Sequence, residues 1–162
     1  FEEKTVFLPQ LLMRAEAAKA AFETVRKTMP ANDAKKGKIV LATVHGDIHD
    51  IGKNIVKVLL QNYGYEVLDL GKDVPPQVVC DAVVQNHIRL AGLSALMTTT
   101  VPAMEETIKR IRNAAPDCKV VVGGAVMTKS YAQMIGADRY AKDAMETVRY
   151  AESIFGGKDV EA

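Results

Sequence analysis

The sequence predicts an α/β protein: a five-stranded parallel sheet with helices on its faces. Two observations carry that expectation. From residue 39 to residue 155, short apolar runs alternate strictly with longer stretches of helical period. The leading run, Ile39–Val44 (IVLATV), is continuously apolar and rich in β-branched residues, as a strand buried on both faces must be. Strict alternation of this kind implies right-handed crossovers onto a parallel sheet.

Each element has its own signal. Pro9 can open a helix running to Met29, in which Leu12, Met13, Ala17, Ala20, Ala21 and Val25 recur at helical spacing. Pro30–Lys38 is polar and reads as a linker. After Ile39–Val44 comes a helix from Ile51 to Tyr63, stopped by Gly64 as a left-handed cap. Further strands are expected at Glu66–Leu70, Ala91–Leu96 and Lys119–Val122, with a short fifth around Arg139 and Tyr140. The intervening helices are expected at Gln77–Arg89, Pro102–Asn113, Met127–Ile135 and Ala144–Phe155. The polar tail Gly156–Ala162 is expected to fray.

Composition narrows the function. The 162 residues suit one domain and a small appendage, and 48% hydrophobic with 25% charged residues is the balance of a soluble globular protein. A net charge of +1 leaves no basic face for a nucleic acid. No apolar run approaches the roughly 20 residues of a membrane span, and no export signal is visible. Cys80 and Cys118 lie far apart without metal-type spacing, as core residues of a cytoplasmic protein do. The first residue is Phe1, which suggests a fragment with a missing upstream part.

Ligands of such sheets bind beyond the carboxyl ends of the strands, near the reversal of strand order. The first strand is followed by His45-Gly46-Asp47-Ile48-His49-Asp50-Ile51-Gly52, with more ionisable groups than a helix cap needs. Asp47, two residues before His49, can accept the second N–H of the imidazole and so aim its other nitrogen at a metal. Gly52 permits close approach to the helix start. The third strand runs through Ser94 and Leu96 into Thr98-Thr99-Thr100, an unusual density of hydroxyls. The fourth runs into Gly123-Gly124, where two side chains are missing. Taken singly, each has a bland reading: an N-cap, a Thr cap before a proline-initiated helix, a tight turn.

In combination, Asp47-x-His49-x-x-Gly52, then Ser94-x-Leu96, then Gly123-Gly124 resemble the cobalamin-binding domain family, over about Lys38 to Phe155. Upstream, Phe7-Leu8-Pro9-Gln10-Leu11-Leu12-Met13 and the Ala-rich helix look like the end of the helical cap that precedes that domain, so residues 1–29 are expected to be partial cap. Lys53-Asn54-Ile55-Val56 and the run Tyr140–Thr147 are most similar to cobalamin-dependent methionine synthase of the shorter bacterial type. Corrinoid proteins of methylamine and methanol methyltransferase systems are the alternative.

The resemblance implies a Rossmann-like (flavodoxin-like) fold and a cofactor, methylcobalamin or a related cobalt corrinoid, bound base-off with His49 as lower axial ligand. It implies that Asp47 hydrogen-bonds His49 and that Thr100 extends the pair where relatives carry Ser. Asp50, Ile51 and Thr98 fall within the matched cofactor-binding loops. Ser94 and Leu96 would line a slot for the nucleotide tail, Gly123 and Gly124 would give it room, and Phe1 and Leu8 would shield the upper face. The implied work is methyl carriage between partner domains or subunits, of folate-binding and homocysteine-binding type. No residues for activating donor or acceptor are evident, so the module is not expected to catalyse alone.

Rival readings are less well supplied. A metal-dependent hydrolase using His45, Asp47, His49 and Asp50 needs ligands from other loops, and His87 is expected at a helix end on the wrong side. A receiver-type signalling domain wants Asp where Ser94 stands, and a dinucleotide-binding domain wants G-x-G-x-x-G after the first strand. Met97, Met104, Met127, Met134 and Met145 read as core filler. Lys109, Arg110 and Arg112 read as a solvated helix face, and Tyr63 and Tyr65 as local packing at a helix cap.

Overall fold

A computed structural model describes residues 35–156. The expected helix Pro9–Met29, most of the linker, Phe1, Leu8 and the tail beyond Gly156 lie outside the described residues. Within them the chain runs β1 (Lys38–Thr43), α1 (Ile51–Asn62), β2 (Glu66–Asp69), α2 (Pro76–Gln85), β3 (Leu90–Ser94), a 3-10 turn (Thr98–Thr100), α3 (Val101–Ala114), β4 (Lys119–Gly123), α4 (Lys129–Met134), β5 (Arg139–Tyr140) and α5 (Ala144–Phe155). The sheet order is β2-β1-β3-β4-β5, with every pairing parallel. This is the expected Rossmann-like, flavodoxin-like arrangement.

Both faces of the sheet are covered, which is why β1 reads as unbroken apolar sequence. Val40, Ala42 and Val44 point to one side, into a core shared with Val79 and Val83 of α2 and Met104, Ile108 and Ile111 of α3. Ile39 and Leu41 point to the other, against Leu60 of α1 and Val148 and Ala151 of α5. Crossovers from β1 leave toward β2 on one side, while β3 continues toward β4 on the other. The loops after β1 and β3 therefore diverge, opening a crevice at the carboxyl edge.

Several boundaries differ from expectation. Lys38 belongs to β1, paired with Glu66, and not to the linker. Helix α2 stops at Gln85 and does not reach Arg89. There the Asn86 side chain donates to Ala82 O at 2.9 Å, and His87 turns to φ 51°. His87 is exposed at the edge where β3 begins, opposite the crevice. β3 ends at Ser94, leaving Ala95 and Leu96 outside the strand. Gly64 takes the expected left-handed conformation, with φ 92°.

Met104 and Met127 are core residues, but Met134 is 70% exposed at the end of the short α4 and fills nothing. Arg112 does not sit on a solvated face: it donates to Cys118 O and Gly136 O and pairs with Asp138, tying α3 to the neck of β4. Tyr65 is buried against Phe155, whereas Tyr63 is 38% exposed. No helix among the described residues is long and apolar enough to cross a membrane.

Candidate functional site

The loop after β1 is shaped by a buried carboxylate. A turn at Gly46 (φ 84°) brings Asp47 N–H to Val44 O at 3.0 Å and sends the Asp47 side chain inward, where it has no exposed surface. Its Oδ1 accepts from the His49 N–H at 3.0 Å and lies 2.7 Å from His49 Nδ1. Its Oδ2 accepts from the Leu96 N–H at 2.6 Å and lies 3.2 Å from Thr100 Oγ1. Thr100 Oγ1 is also 2.8 Å from Met97 O, so its single proton is shared between two acceptors. One carboxylate thus pins the β1 loop to the β3 loop.

Burial pushes the Asp47 carboxyl up. The N–H groups of Leu96 and His49, the His49 ring and a contribution from Met97 outweigh it and hold the carboxyl at about 2. An ionised carboxylate only accepts, so the hydrogen between it and the imidazole sits on Nδ1. The lone pair is then on Nε2. The His49 side chain is 46% exposed, with Nδ1 engaged inward. A lone pair of fixed tautomer at the sheet's open edge is the donor a metal centre needs.

The second His–Asp pair nearby has a different job. His45 Nδ1 lies 2.8 Å from Asp73 Oδ1, and the same oxygen accepts from the Gly46 N–H at 2.7 Å. Asp73 N–H in turn donates to Asp47 O at 2.9 Å. This pair braces the turn from the β2 side. Among the described residues, no group of three or more His, Cys, Asp or Glu is placed to hold a metal ion.

Beside the loop, a cavity of about 410 Å³ lies between the sheet and the layer formed by α1 and α5. Leu41, Gly92 and Val121 form its floor, Gly52, Lys53 and Val56 one wall, and Ala144 and Thr147 the other. Ser94, Gly123 and Gly124 stand at its mouth, at the ends of β3 and β4. A Cβ on Gly52 would meet nothing within 4 Å, so that glycine keeps open space open. Gly124 has another reason: at φ 120° its Cβ would lie 1.9 Å from Ala95 O, so the crossing β3 loop excludes a side chain there. At Gly123 the nearest atom to a Cβ is Ala141 O, at 3.4 Å.

The other predicted positions are distributed as follows. Asp50 is the N-cap residue of α1 without a side-chain capping bond, and Ile51 is half exposed at its first position. Thr98 is exposed in the 3-10 turn. Leu96 is not among the cavity-lining residues. Its side chain is 40% exposed, and its contribution to the site is the backbone N–H that binds Asp47.

Sequence reasoning gave no site role to Gly92, whose Cβ would meet Leu41 Cδ2 at 2.5 Å, or to Lys53. Lys53 is 4% exposed in the first turn of α1, held by Asp69 at 2.6 Å and Asn54 at 2.8 Å. A lysine at the positive end of a helix is the unfavourable choice, and that mismatch was a legible signal. Thr147 was also missed, although it closes the motif Asp143-x-x-Glu146-Thr147, whose Asp143 caps α5 by accepting from the Glu146 N–H.

The Nε2 left free by the Asp47 contact and the open space at Gly52 would suit a cobalt corrinoid ligated by an imidazole, with its tail in the cavity. Comparison with known proteins agrees. The sequence model of the B12 binding domain matches residues 37–149. Dimethylamine corrinoid protein 1 of Methanosarcina acetivorans is 42% identical over 158 residues, covering 95% of this chain and 74% of that protein. Among solved structures, a cobalamin-binding protein from Desulfitobacterium hafniense superimposes with a TM-score of 0.81 at 34% identity, covering 94% of this chain and 73% of the other. The methanol:cobalamin methyltransferase complex of Methanosarcina barkeri gives a TM-score of 0.81 at 32% identity, over 97% of this chain and 61% of the matched one.

Proposed function

The chain belongs to the B12-binding domain family, and from that premise we propose that it is a methyl-carrying corrinoid protein in which His49 is the lower axial ligand of cobalt. The observation that carries the proposal is the 2.7 Å contact of His49 Nδ1 with a fully buried, ionised Asp47, which leaves Nε2 outward at the crevice. The bound corrinoid supplies a cobalt nucleophile able to take a methyl group from a donor and give it to an acceptor.

The chain's own residues hold and tune. Asp47 keeps the Nδ1 proton in place and the imidazole plane fixed, while Leu96 N–H and Thr100 keep Asp47 from swinging away. The cavity behind Ser94, Gly123 and Gly124 would receive the nucleotide tail that His49 displaces. Asp50, Ile51 and Thr98 border the same open edge.

The similarity to dimethylamine corrinoid proteins and to a methanol:cobalamin methyltransferase complex favours a carrier for separate methyltransferase subunits of the methylamine or methanol type. That reading is better supported than a methionine-synthase module with folate-binding and homocysteine-binding partners, which rests on the sequence resemblance alone.

The test is the visible spectrum of the protein after incubation with hydroxocobalamin. The wild type should show the imidazole-ligated, base-off form. His49→Ala should retain cofactor through the tail and lose the imidazole-ligated spectrum. An identical spectrum in the variant removes the ligand assignment. Methyl transfer from methylamines or methanol with cognate methyltransferases, set against transfer from methyltetrahydrofolate, separates the two partner readings.

A further inference from the structure

β1 ends on a hydroxyl that the sheet itself does not need. Within Lys38–Thr43 only Lys38 and Thr43 carry polar side chains, and Thr43 is fully buried. Valine has the same shape, favours strands and would bring no polar atom to bury. The backbone of Thr43 is fixed on both sides. Its N–H donates to Gly71 O at 2.9 Å, its carbonyl accepts from the Val74 N–H at 3.1 Å, and it stands opposite Ser94 in the β1–β3 register. The hydroxyl donates out of the sheet, to His49 O at 3.3 Å.

That carbonyl takes part in no helix bond. The first turn of α1 closes from the Asn54 N–H to Asp50 O, one residue later. Among the described residues, Thr43 is therefore the partner of His49 O. The bond gains weight from the way His49 is otherwise held. Its N–H and its Nδ1 both meet one atom, Asp47 Oδ1, at 3.0 and 2.7 Å. Two attachments on one oxygen leave a pivot, about which backbone and ring can swing together while both bonds survive. Thr43 supplies the third point, on the carbonyl, and supplies it from a buried strand.

We propose that Thr43 is a positioning residue for the axial ligand, stopping that pivot by its grip on the His49 carbonyl and so fixing where Nε2 lies at the crevice. The proposal rests on the corrinoid reading of the site. Thr43 is not among the residues lining the cavity, so it acts through His49 and not through the tail. Without its hydroxyl the imidazole keeps its tautomer, because Asp47 is untouched, but is less often aimed at the metal. Ligation through Nε2 weakens although no ligand atom has changed.

The experiment compares wild type, Thr43→Val and Thr43→Ser, loaded with cyanocobalamin or with cyanocobinamide, which has no nucleotide tail. Excess cyanide displaces the lower ligand and gives the dicyano spectrum, so the cyanide concentration at half-conversion measures the hold of the imidazole. Thr43→Val should need about fivefold less cyanide with either probe, the scale of one neutral hydrogen bond. Thr43→Ser should stay at the wild-type midpoint. In the cofactor-free proteins, amide hydrogen exchange at His49 should be about fivefold faster in Thr43→Val. Exchange at Leu96, on the other oxygen of Asp47, should not change. Thermal melting checks that each variant is folded.

A Thr43→Val midpoint equal to wild type, a loss confined to cyanocobalamin, or a Thr43→Ser midpoint as low as that of Thr43→Val overturns the assignment and leaves the carrier reading intact. A wild type that takes up neither probe overturns both. If Thr43→Val does not fold, Thr43→Ala set against Thr43→Ser decides, since the two differ by the hydroxyl alone: equal midpoints refute the role.

Discussion

Asp47→Asn keeps the shape of the side chain and removes only its charge and one acceptor. Its consequences can be worked from the four groups around it. In the wild type the donors at 2.6, 2.7, 3.0 and 3.2 Å all point at the carboxylate. An amide placed with its NH2 toward Leu96 confronts an N–H donor at the shortest of those distances. The opposite flip confronts the His49 N–H and turns Nδ1 into an acceptor, which moves the ring proton to Nε2.

The first flip costs stability, and the second destroys the outward lone pair. The difference between an ordinary carboxylate at 3.8 and one held at about 2 is worth about 2 kcal/mol. The variant should therefore melt about 4–8 °C lower at neutral pH. Because the folded value is depressed, this contribution is fully present above 3.8 and is lost as pH falls toward about 2. The gap between wild type and Asp47→Asn should close over that window. Thermal melts from pH 7 down to pH 2.5, with visible spectra of the cobalamin-loaded protein, make the measurement. An Asp47→Asn protein that melts with the wild type at pH 7 and keeps the imidazole-ligated spectrum would refute the reasoning.

Two further outcomes follow from the glycines. Gly52→Leu should fold with a stability within about 1 kcal/mol of wild type, since the wall there is open and leucine suits a helix. Its affinity for complete cobalamin should fall while that for cobinamide holds, as titration by visible absorbance would show. Gly124→Ala should lose about 3 kcal/mol or more in urea unfolding, because its Cβ would drive into Ala95 O at a backbone angle that L residues rarely adopt.

Most of the sheet was legible because buried parallel strands leave a plain mark. Ile39–Val44 and Lys119–Val122 are apolar throughout, and β5 was found from two residues. The failures have local causes. Ile88 continues the helical period past Gln85, so periodicity alone extends α2 through a turn made by Asn86 and by His87 in a left-handed conformation. Leu96 looks like strand, but its N–H is taken by a carboxylate 49 residues earlier. No local pattern encodes that.

The site divides in the same way. The Asp47–His49 contact is short-range and readable from a two-residue spacing. The clamp on Leu96 and the wall at Thr147 are tertiary. Ser94, Gly123 and Gly124 were placed at the right edge by strand-end logic, yet the demand that Gly124 be glycine comes from a crossing backbone. Arg112 misled because a basic residue on an amphipathic helix looks solvated until the chain that folds over it is known.

The double clamp on Asp47 has a mechanical corollary. The imidazole and the backbone N–H of Leu96 hang from opposite oxygens of the same rigid, unexposed group. A pull that lifts the ring cannot be absorbed at the ring. It rotates the carboxylate and tugs the amide of residue 96, so the far bank of the crevice feels what happens on the near one. Slow deuterium uptake at that single amide would register whether the ring is under tension.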